Sequence, residues 1–408
     1  MTPLFVGIGL LLVLASPAGA QVFSQRGFVD AQGVFYTQEA PNDPVQAVGD
    51  LLAREEVFLK PSDWVQFAGG LDFRANSHDQ VEDDWRLDYS DRGVLRPRLS
   101  VRRASATFSR AGFTLDVGKQ FIRWGKTDIV APTDRFGARD FLNVFDAQFL
   151  AVSGVRAQYA FGHETLDAVW IPRFTPSRVP LLDQRWTVVP PAAAGIPLVD
   201  TTSTLPRGAG GGVRWSHVGD GFECALSFFD GLNSFPSVES RPGAGQVDVS
   251  RLYPSIRTYG GDVAVPSRWF TIKGEAAYFT TTSSFADEYV LYVVQLERQQ
   301  GEWMFIGGYS GQVVTVNSGV PSFDPDRGLT KSIVGRASYT VDVNRSIAFE
   351  AAVQQAGHGA YGKVEYSQAY GQHWRATAAA VLLTGDQTDF YGQYSHNSNA
   401  KVSLRYSF

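Results

Sequence analysis

The stretch "AKVSLRYSF" (400–408) alternates strictly. Ala400, Val402, Leu404, Tyr406 and Phe408 are apolar or aromatic, and Lys401, Ser403, Arg405 and Ser407 between them are polar. That period of two is the signature of a strand with one greasy face and one wet face. At the end of a soluble chain such a strand usually frays. As the last stave of a closed barrel in a membrane it is held on both edges, and the same alternation recurs upstream. In "SIVGRASYTVD" (332–342), Ile333, Gly335, Ala337, Tyr339 and Val341 oppose Arg336, Ser338, Thr340 and Asp342. "FTIKGEAAYFT" (270–280) sets Phe270, Ile272, Ala276 and Tyr278 against Lys273 and Glu275. "GFECALSFF" (221–229) sets Phe222, Cys224, Leu226 and Phe228 against Glu223 and Ser227. A charge on the lipid face costs roughly 2–4 kcal/mol at mid-membrane, so the charged faces are expected to line a lumen. Cys224 is then a small lipid-facing hydrophobe.

From residue 26 onward, alternating stretches are separated by two kinds of break. The short ones are "KPSDW" (60–64), "RAG" (110–112), "FGHE" (161–164), "GDG" (219–221), "VPSR" (265–268), "QQGE" (299–302), "DVNR" (342–345) and "YGQH" (370–373). They carry the Gly, Pro, Asn and Asp of tight turns. The long ones fall at 77–96, 124–149, 174–207, 232–252, 315–329 and 385–397, with briefer members at 38–47, 281–285 and 357. Short and long breaks alternate, the asymmetry of short periplasmic turns and long extracellular loops. The spacing predicts hairpins at about 48–76, 97–123, 150–173, 208–231, 253–280, 286–314, 330–356 and 358–384. With an opening strand near 26–37 and the closing strand, the expectation is an all-β transmembrane antiparallel up-and-down β-barrel of about 18 strands, or 16 if the opening hairpin is a periplasmic extension. Two irregularities stand out. In "RLSVRRASATFSR" (98–110) the apolar parity changes near Arg102 and Arg103, which predicts a β-bulge. "EWMFIGGYSG" and "DEYVLYVVQLE" are apolar on both faces.

Composition narrows the class. "LFVGIGLLLVLA" (4–15), followed by Ala18-Gly19-Ala20, reads as a secretory signal peptide over 1–20, leaving 21–408 as a single barrel domain. The net charge is −5, which speaks against a polybasic nucleic-acid binder. A lone cysteine makes no internal disulfide framework. The six histidines lack metal-ligand spacing, so neither metal nor cofactor is expected.

One segment is more specific than its surroundings. "DVGKQFIRWGKTDIVAPTDRFGARDFLNVF" (116–145) runs from a strand into a loop crowded with Arg123, Lys126, Asp128, Asp134, Arg135, Arg139 and Asp140. The "GKQFIRWGKTD" strand end followed by "PTD" and a loop of mixed charge resembles a motif of bacterial outer-membrane barrels of the alginate-export and related porin-like families. That resemblance implies an eighteen-stranded pore in the cell outer membrane of a Gram-negative bacterium. The aromatic end Phe408 is similar to the signal read by the barrel-assembly machinery. Alginate export would call for an Arg-rich lumen, whereas the residues expected to line this one are of both signs: Arg98, Arg102, Lys273, Arg336, Arg375, Lys401 and Arg405 against Asp116, Glu275, Glu350 and Glu365.

Gly118 and Gly125 are expected to permit close backbone approach, Trp124 to sit in the outer aromatic girdle, and the 124–149 loop to fold inward as a constriction. Its charges either set selectivity or pin the loop to the wall. "DPDRG" (324–328) reads as a turn. "QTDFYGQYSHNSN" (387–399) reads as an external surface loop, and 188–208 as a long external loop or lid. The functional expectation is a passive channel for small hydrophilic solutes, anionic or saccharide, with outer-membrane lipid and lipopolysaccharide as surroundings. An export conduit for a polysaccharide is the alternative. An outer-membrane enzyme is disfavoured, since His396 near Ser395 and Asn399 is the only suggestive grouping.

Overall fold

The computed structural model describes residues 22–190, 193, 195–202 and 204–408. The leader expected over 1–20 lies outside them. Eighteen strands form the wall: β1 (Phe23–Tyr36), β2 (Ala47–Ser62), β3 (Val65–Asn76), β4 (Leu99–Arg110), β5 (Phe113–Gln120), β6 (Val152–Phe161), β7 (Glu164–Ile171), β8 (Gly210–Val218), β9 (Glu223–Leu232), β10 (Ser255–Pro266), β11 (Thr271–Thr281), β12 (Glu288–Gln300), β13 (Trp303–Val316), β14 (Ser332–Asp342), β15 (Arg345–Gln354), β16 (Ala360–Tyr370), β17 (Trp374–Thr384) and β18 (Asn399–Ser407). Each pairs antiparallel with its sequence neighbours, and β1 pairs with β18 from Phe28↔Ser407 to Tyr36↔Asn399, closing the cylinder. Phe408 continues that seam, exchanging two 3.0 Å backbone hydrogen bonds with Gly27. The two-residue segment Leu87–Asp88 pairs parallel with Leu99–Ser100 of β4, on the stretch of edge that β5 does not reach.

Closure satisfies every strand edge, which is why strands of this kind span a bilayer. Among the described residues no helix is long and apolar enough to cross a membrane. The faces follow the alternation. Leu226, Ile333, Leu382 and Val402 are more than half exposed on the outside, where lipid covers them. Trp64, Trp215, Trp269, Trp303 and Trp374 lie at or near the eight short turns, the level at which indoles anchor in the interface. Cys224 is on the lipid face with Leu226, and Glu223 faces the lumen, where it receives Lys126.

The predicted bulge is present. Gly70 pairs with Arg103 and Leu71 with Val101, so Arg102 is the extra residue. The bulge turns two consecutive arginines into the lumen, and both guanidiniums lie over the Phe121 ring, at 4.7 and 5.4 Å.

The long loops are on one rim. Within the 188–208 segment a short strand forms: Leu198–Asp200 runs parallel to the first residues of Val247–Leu252, which pairs antiparallel with Ser237–Pro242. The 387–399 loop departs from its expected place at the outer surface. It folds into the barrel mouth, where Tyr391 is fully buried and Tyr394 is 4% exposed. Its rings find more apolar contact there, against Phe145, Trp186 and Tyr361, than water offers outside.

Candidate channel site: the loop across the lumen

β5 is only eight residues long, and the chain leaves the wall after Gln120. Gly118 sits at φ 117°, and a Cβ there would meet the Ala104 carbonyl oxygen at 2.2 Å. Only glycine permits that departure. The segment 121–151 then crosses the lumen before β6 begins.

The wall beneath it is apolar. Val169 and Ile171 of β7, Phe229 of β9, Phe279 of β11 and Leu291 and Val293 of β12 face inward, and Ile122, Trp124, Val130 and Phe136 of the loop pack on them. This explains why 287–297 reads as apolar on both faces: one face meets lipid and the other meets the loop. In β13, Gly308 faces in, and a Cβ there would meet Ile129 of the loop at 2.8 Å. Trp124 is therefore not in the outer girdle. It is 3% exposed inside the barrel, edge-on to Phe136, with its indole N–H donated to Asp167 at 3.1 Å.

Two wall residues hold the loop by its backbone. Glu275 accepts from Lys126 N (2.7 Å), Thr127 N (3.1 Å), Thr127 Oγ1 (3.0 Å), Thr133 N (2.9 Å) and Thr133 Oγ1 (2.8 Å). Gln295 accepts from Asp128 N at 2.8 Å and donates to the Asp128 carboxylate at 2.7 Å. Gly125, at φ 98°, lets the turn come this close, since a Cβ would sit 2.8 Å from Glu275 Oε1. The "WGKTD…PTD" pattern is thus a turn folded around a carboxylate of the wall. Glu275 reads as lumen-facing from the sequence, but its part as anchor, and that of Gln295, carries no local signal because the partners are about 150 residues away.

The seven charged loop residues divide into four settings. Arg123 points to the wet side, half-exposed, with its guanidinium 3.6 Å from the Phe149 ring centre and an ion pair to Asp134. Burial pushes the Asp134 carboxyl up, with Arg123 and Arg135 opposing. Lys126 pairs with Glu223, and Asp128 lies 3.4 Å from Lys273. Arg135 and Arg139 share Asp326, with Arg135 at 3.8 Å. That aspartate belongs to "DPDRG", which is a four-residue helix, Pro325–Gly328, capped by Asp324, rather than a plain turn. Asp140 is buried and receives Arg96 at 2.9 and 3.0 Å and Arg178 at 3.2 Å. Burial alone would raise its carboxyl, but the two guanidiniums outweigh burial and hold it well below the usual carboxylate range. Arg178 also reaches Asp91, which takes Lys119 of β5 at 2.6 Å.

Below the loop, toward the periplasm, the lumen side of the wall is ionic. Arg405 pairs with Asp30 and Arg54 with Asp72, each with a contact at 2.7 Å, Arg336 with Glu350 at 3.4 Å, and Lys363 with Glu365 at 2.9 Å. Lys401 meets Asp146 of the loop. Arg375 donates to Ser367, and Asp116 accepts from Thr107. Arg98, at the outer end of β4, is taken up by Asp83 and the Glu82 carbonyl of a loop. Cations outnumber anions around Asp72. Arg102 is 3.8 Å from Glu56 and 4.0 Å from Asp72, Arg74 is 3.5 Å from Asp72, and Arg103 makes no ion pair among the described residues.

No protein-family model matches the sequence, and neither does any curated protein. Among solved structures the chain is similar to a BenF-like porin from Pseudomonas fluorescens Pf-5, with 9% identity over 95% of this chain and 98% of that one, and a TM-score of 0.55. The fold is that of a porin-like outer-membrane barrel. Pseudomonas aeruginosa OpdQ aligns at 11% identity over 95% and 96% of the two chains with a TM-score of 0.49. A mutant Rh. blastica porin aligns at 11% over 95% and 100% with a TM-score of 0.45. At such identities the likeness concerns the fold. The strand count of this porin-like barrel is eighteen, and the sixteen-strand alternative falls away.

Proposed function

We propose that the barrel is a passive, non-catalytic channel for small hydrophilic solutes, that the inward 121–151 segment is its constriction, and that anions are favoured. The observation carrying this reading is the arginine excess beside the constriction. Arg54, Arg74 and Arg102 share Asp72, Arg102 also reaches Glu56, and Arg103 beside them has no ion pair among the described residues, opposite the half-exposed Arg123 of the loop. Fixed cations at a narrowing lower the barrier for anions and raise it for cations. A thick polymer is a poorer fit, because Trp186, Tyr391 and Tyr394 fill much of the outer mouth. In planar bilayers the purified protein should give discrete conductance steps with a reversal potential favouring anions. Bilayers that stay silent at every voltage, including with the loop removed, would refute the channel.

A further inference from the structure

Outside the lumen, the lipid-facing wall carries a hollow that permeation does not use. Register aligns Leu296 of β12 with Gly307 of β13, Gly335 of β14 and Ala351 of β15. These positions alternate with lumen-facing Arg336 and Glu350, so they point to lipid. The small side chains leave a depression of about 510 Å3, bordered by Phe270, Phe305 and Phe349. Arg298 stands at its edge, two residues before the periplasmic end of β12. Arg268 lies in the neighbouring short turn. Both guanidiniums sit over the indole of Trp269, at 5.3 and 5.5 Å. Neither makes an ion pair among the described residues, whereas Arg336 behind the hollow has Glu350.

At the level of the interfacial tryptophans the apolar hollow thus ends at Arg298, with Arg268 over the same Trp269 ring, and neither cation has a counter-anion among the described residues. Guanidiniums beside hydrocarbon need an anion to be comfortable, and their fork matches phosphate oxygens. A free phosphate would leave the hollow empty, and a bare hydrocarbon chain would leave the arginines unmatched. A molecule joining both chemistries satisfies the whole site. We propose that this is a phospholipid-binding site of the periplasmic leaflet, with an acyl chain in the hollow between Phe305 and Phe349 and the phosphate held by Arg268 and Arg298.

Native mass spectrometry of the folded barrel in detergent tests this, with dioleoyl phosphatidylglycerol, dioleoylglycerol or inorganic phosphate as the added probe. The expected result is one saturable phosphatidylglycerol adduct, at least tenfold weaker dioleoylglycerol binding, and no adduct with phosphate alone. Arg268→Gln with Arg298→Gln should cut phosphatidylglycerol occupancy about tenfold. Gly335→Leu, which fills the hollow, should do the same with both arginines intact. Heat-modifiable migration on gels checks folding. If Gly335→Leu fails to fold, the glutamine pair still decides, because its positions are on the surface. Equal binding of phospholipid and diacylglycerol, unchanged occupancy in the glutamine variant, tight binding of phosphate alone, or barrel dimers in place of the lipid adduct would each overturn the proposal.

Discussion

Along β11 the lumen side reads Lys273, Glu275, Ala277, Phe279 from the periplasmic end outward. The change from charge to ring marks a boundary that recurs on β1, β2, β6, β7, β9 to β12, β15 and β17, whereas β3 and β5 carry Arg74 and Lys119 in their outer halves. Above it, toward the long loops, the inner wall is apolar and packed: Val152, Ile171, Phe229, Ile256 and Leu291 lie under the 121–151 segment, and Val34, Val48, Ala352 and Leu383 lie under Phe145, Trp186 and Tyr391. Below it the lumen side carries Asp30, Arg54, Asp72, Arg336, Glu350 and Arg405, paired with one another, with the Arg336 and Arg405 side chains half-exposed and Asp72 buried. One set of strands therefore builds a folded core in its outer half and a wet vestibule in its inner half. A barrel of this width becomes a selective channel only if something fills part of it. Here the filling is held by hydrophobic burial, by ion pairs of Arg139 with Asp326 and of Asp140 with Arg96 and Arg178, by Gln295, and by the Glu275 carboxylate.

The comparison can be broken at that carboxylate first. Glu275→Ala leaves four loop donors without an acceptor, since the Thr127 hydroxyl keeps the Val130 carbonyl, and unsatisfied buried donors cost roughly 1–3 kcal/mol each. The loop should undock, and single-channel conductance should rise several-fold while the barrel stays heat-modifiable on gels. Unchanged conductance would mean the loop is held by other means. Phe279→Ala removes a ring from the packed half and leaves every ion pair in place, though it takes away the face on which the Arg135 guanidinium lies at 4.9 Å. Large-to-small changes of this kind cost about 3–5 kcal/mol. Thermal unfolding should shift down, and open-channel noise should rise with a smaller gain in conductance than Glu275→Ala gives.

In the wet half, Arg102→Ala with Arg103→Ala should leave the unfolding temperature nearly unchanged. It should lower the anion-to-cation permeability ratio about threefold, read from reversal potentials in a salt gradient, by the same fixed-charge argument. The smallest effect concerns the outer rim. His358 on the 355–359 loop donates its Nδ1–H to the Asp386 carboxylate at 2.9 Å, and its backbone N–H donates to Asp389. The hydrogen bond to Asp386, with the charges of Asp386 and Asp389, raises the imidazole pKa. A raised histidine stabilises fully below its unfolded value near 6.5 and loses that contribution as pH rises through the folded value. Limited proteolysis of the 385–398 loop should therefore quicken modestly, by less than about twofold, above neutral pH. The dependence should vanish in His358→Ala.

Much of this architecture was legible in the alternation, because a strand between lipid and water must alternate and a tight turn must use glycine, proline or asparagine. The short turns and hairpin limits follow from that, as does the bulge at Arg102. Legibility fails where the lumen is dry. Tyr289, Leu291 and Val293 break the code because they meet a loop about 160 residues away. Trp124 looks like an interfacial residue, and Tyr391 like a surface one, since nothing local states that the chain turns inward. Likewise the partner of Arg135 and Arg139 is Asp326, inside a motif that reads as an ordinary turn. The charged loop residues are identifiable by their density; which carboxylate meets which guanidinium is a property of closure.

The division of the lumen is tested most directly by thiol labelling in a Cys224→Ser background. Single cysteines at Arg336 and Arg405 in the inner half, and at Ala277 and Leu291 in the outer half, would be exposed to a small charged methanethiosulfonate and followed by mass. The inner pair should label at least tenfold faster, and the outer pair should become reactive once Glu275→Ala is added. Equal labelling of all four in the otherwise intact barrel would contradict the account.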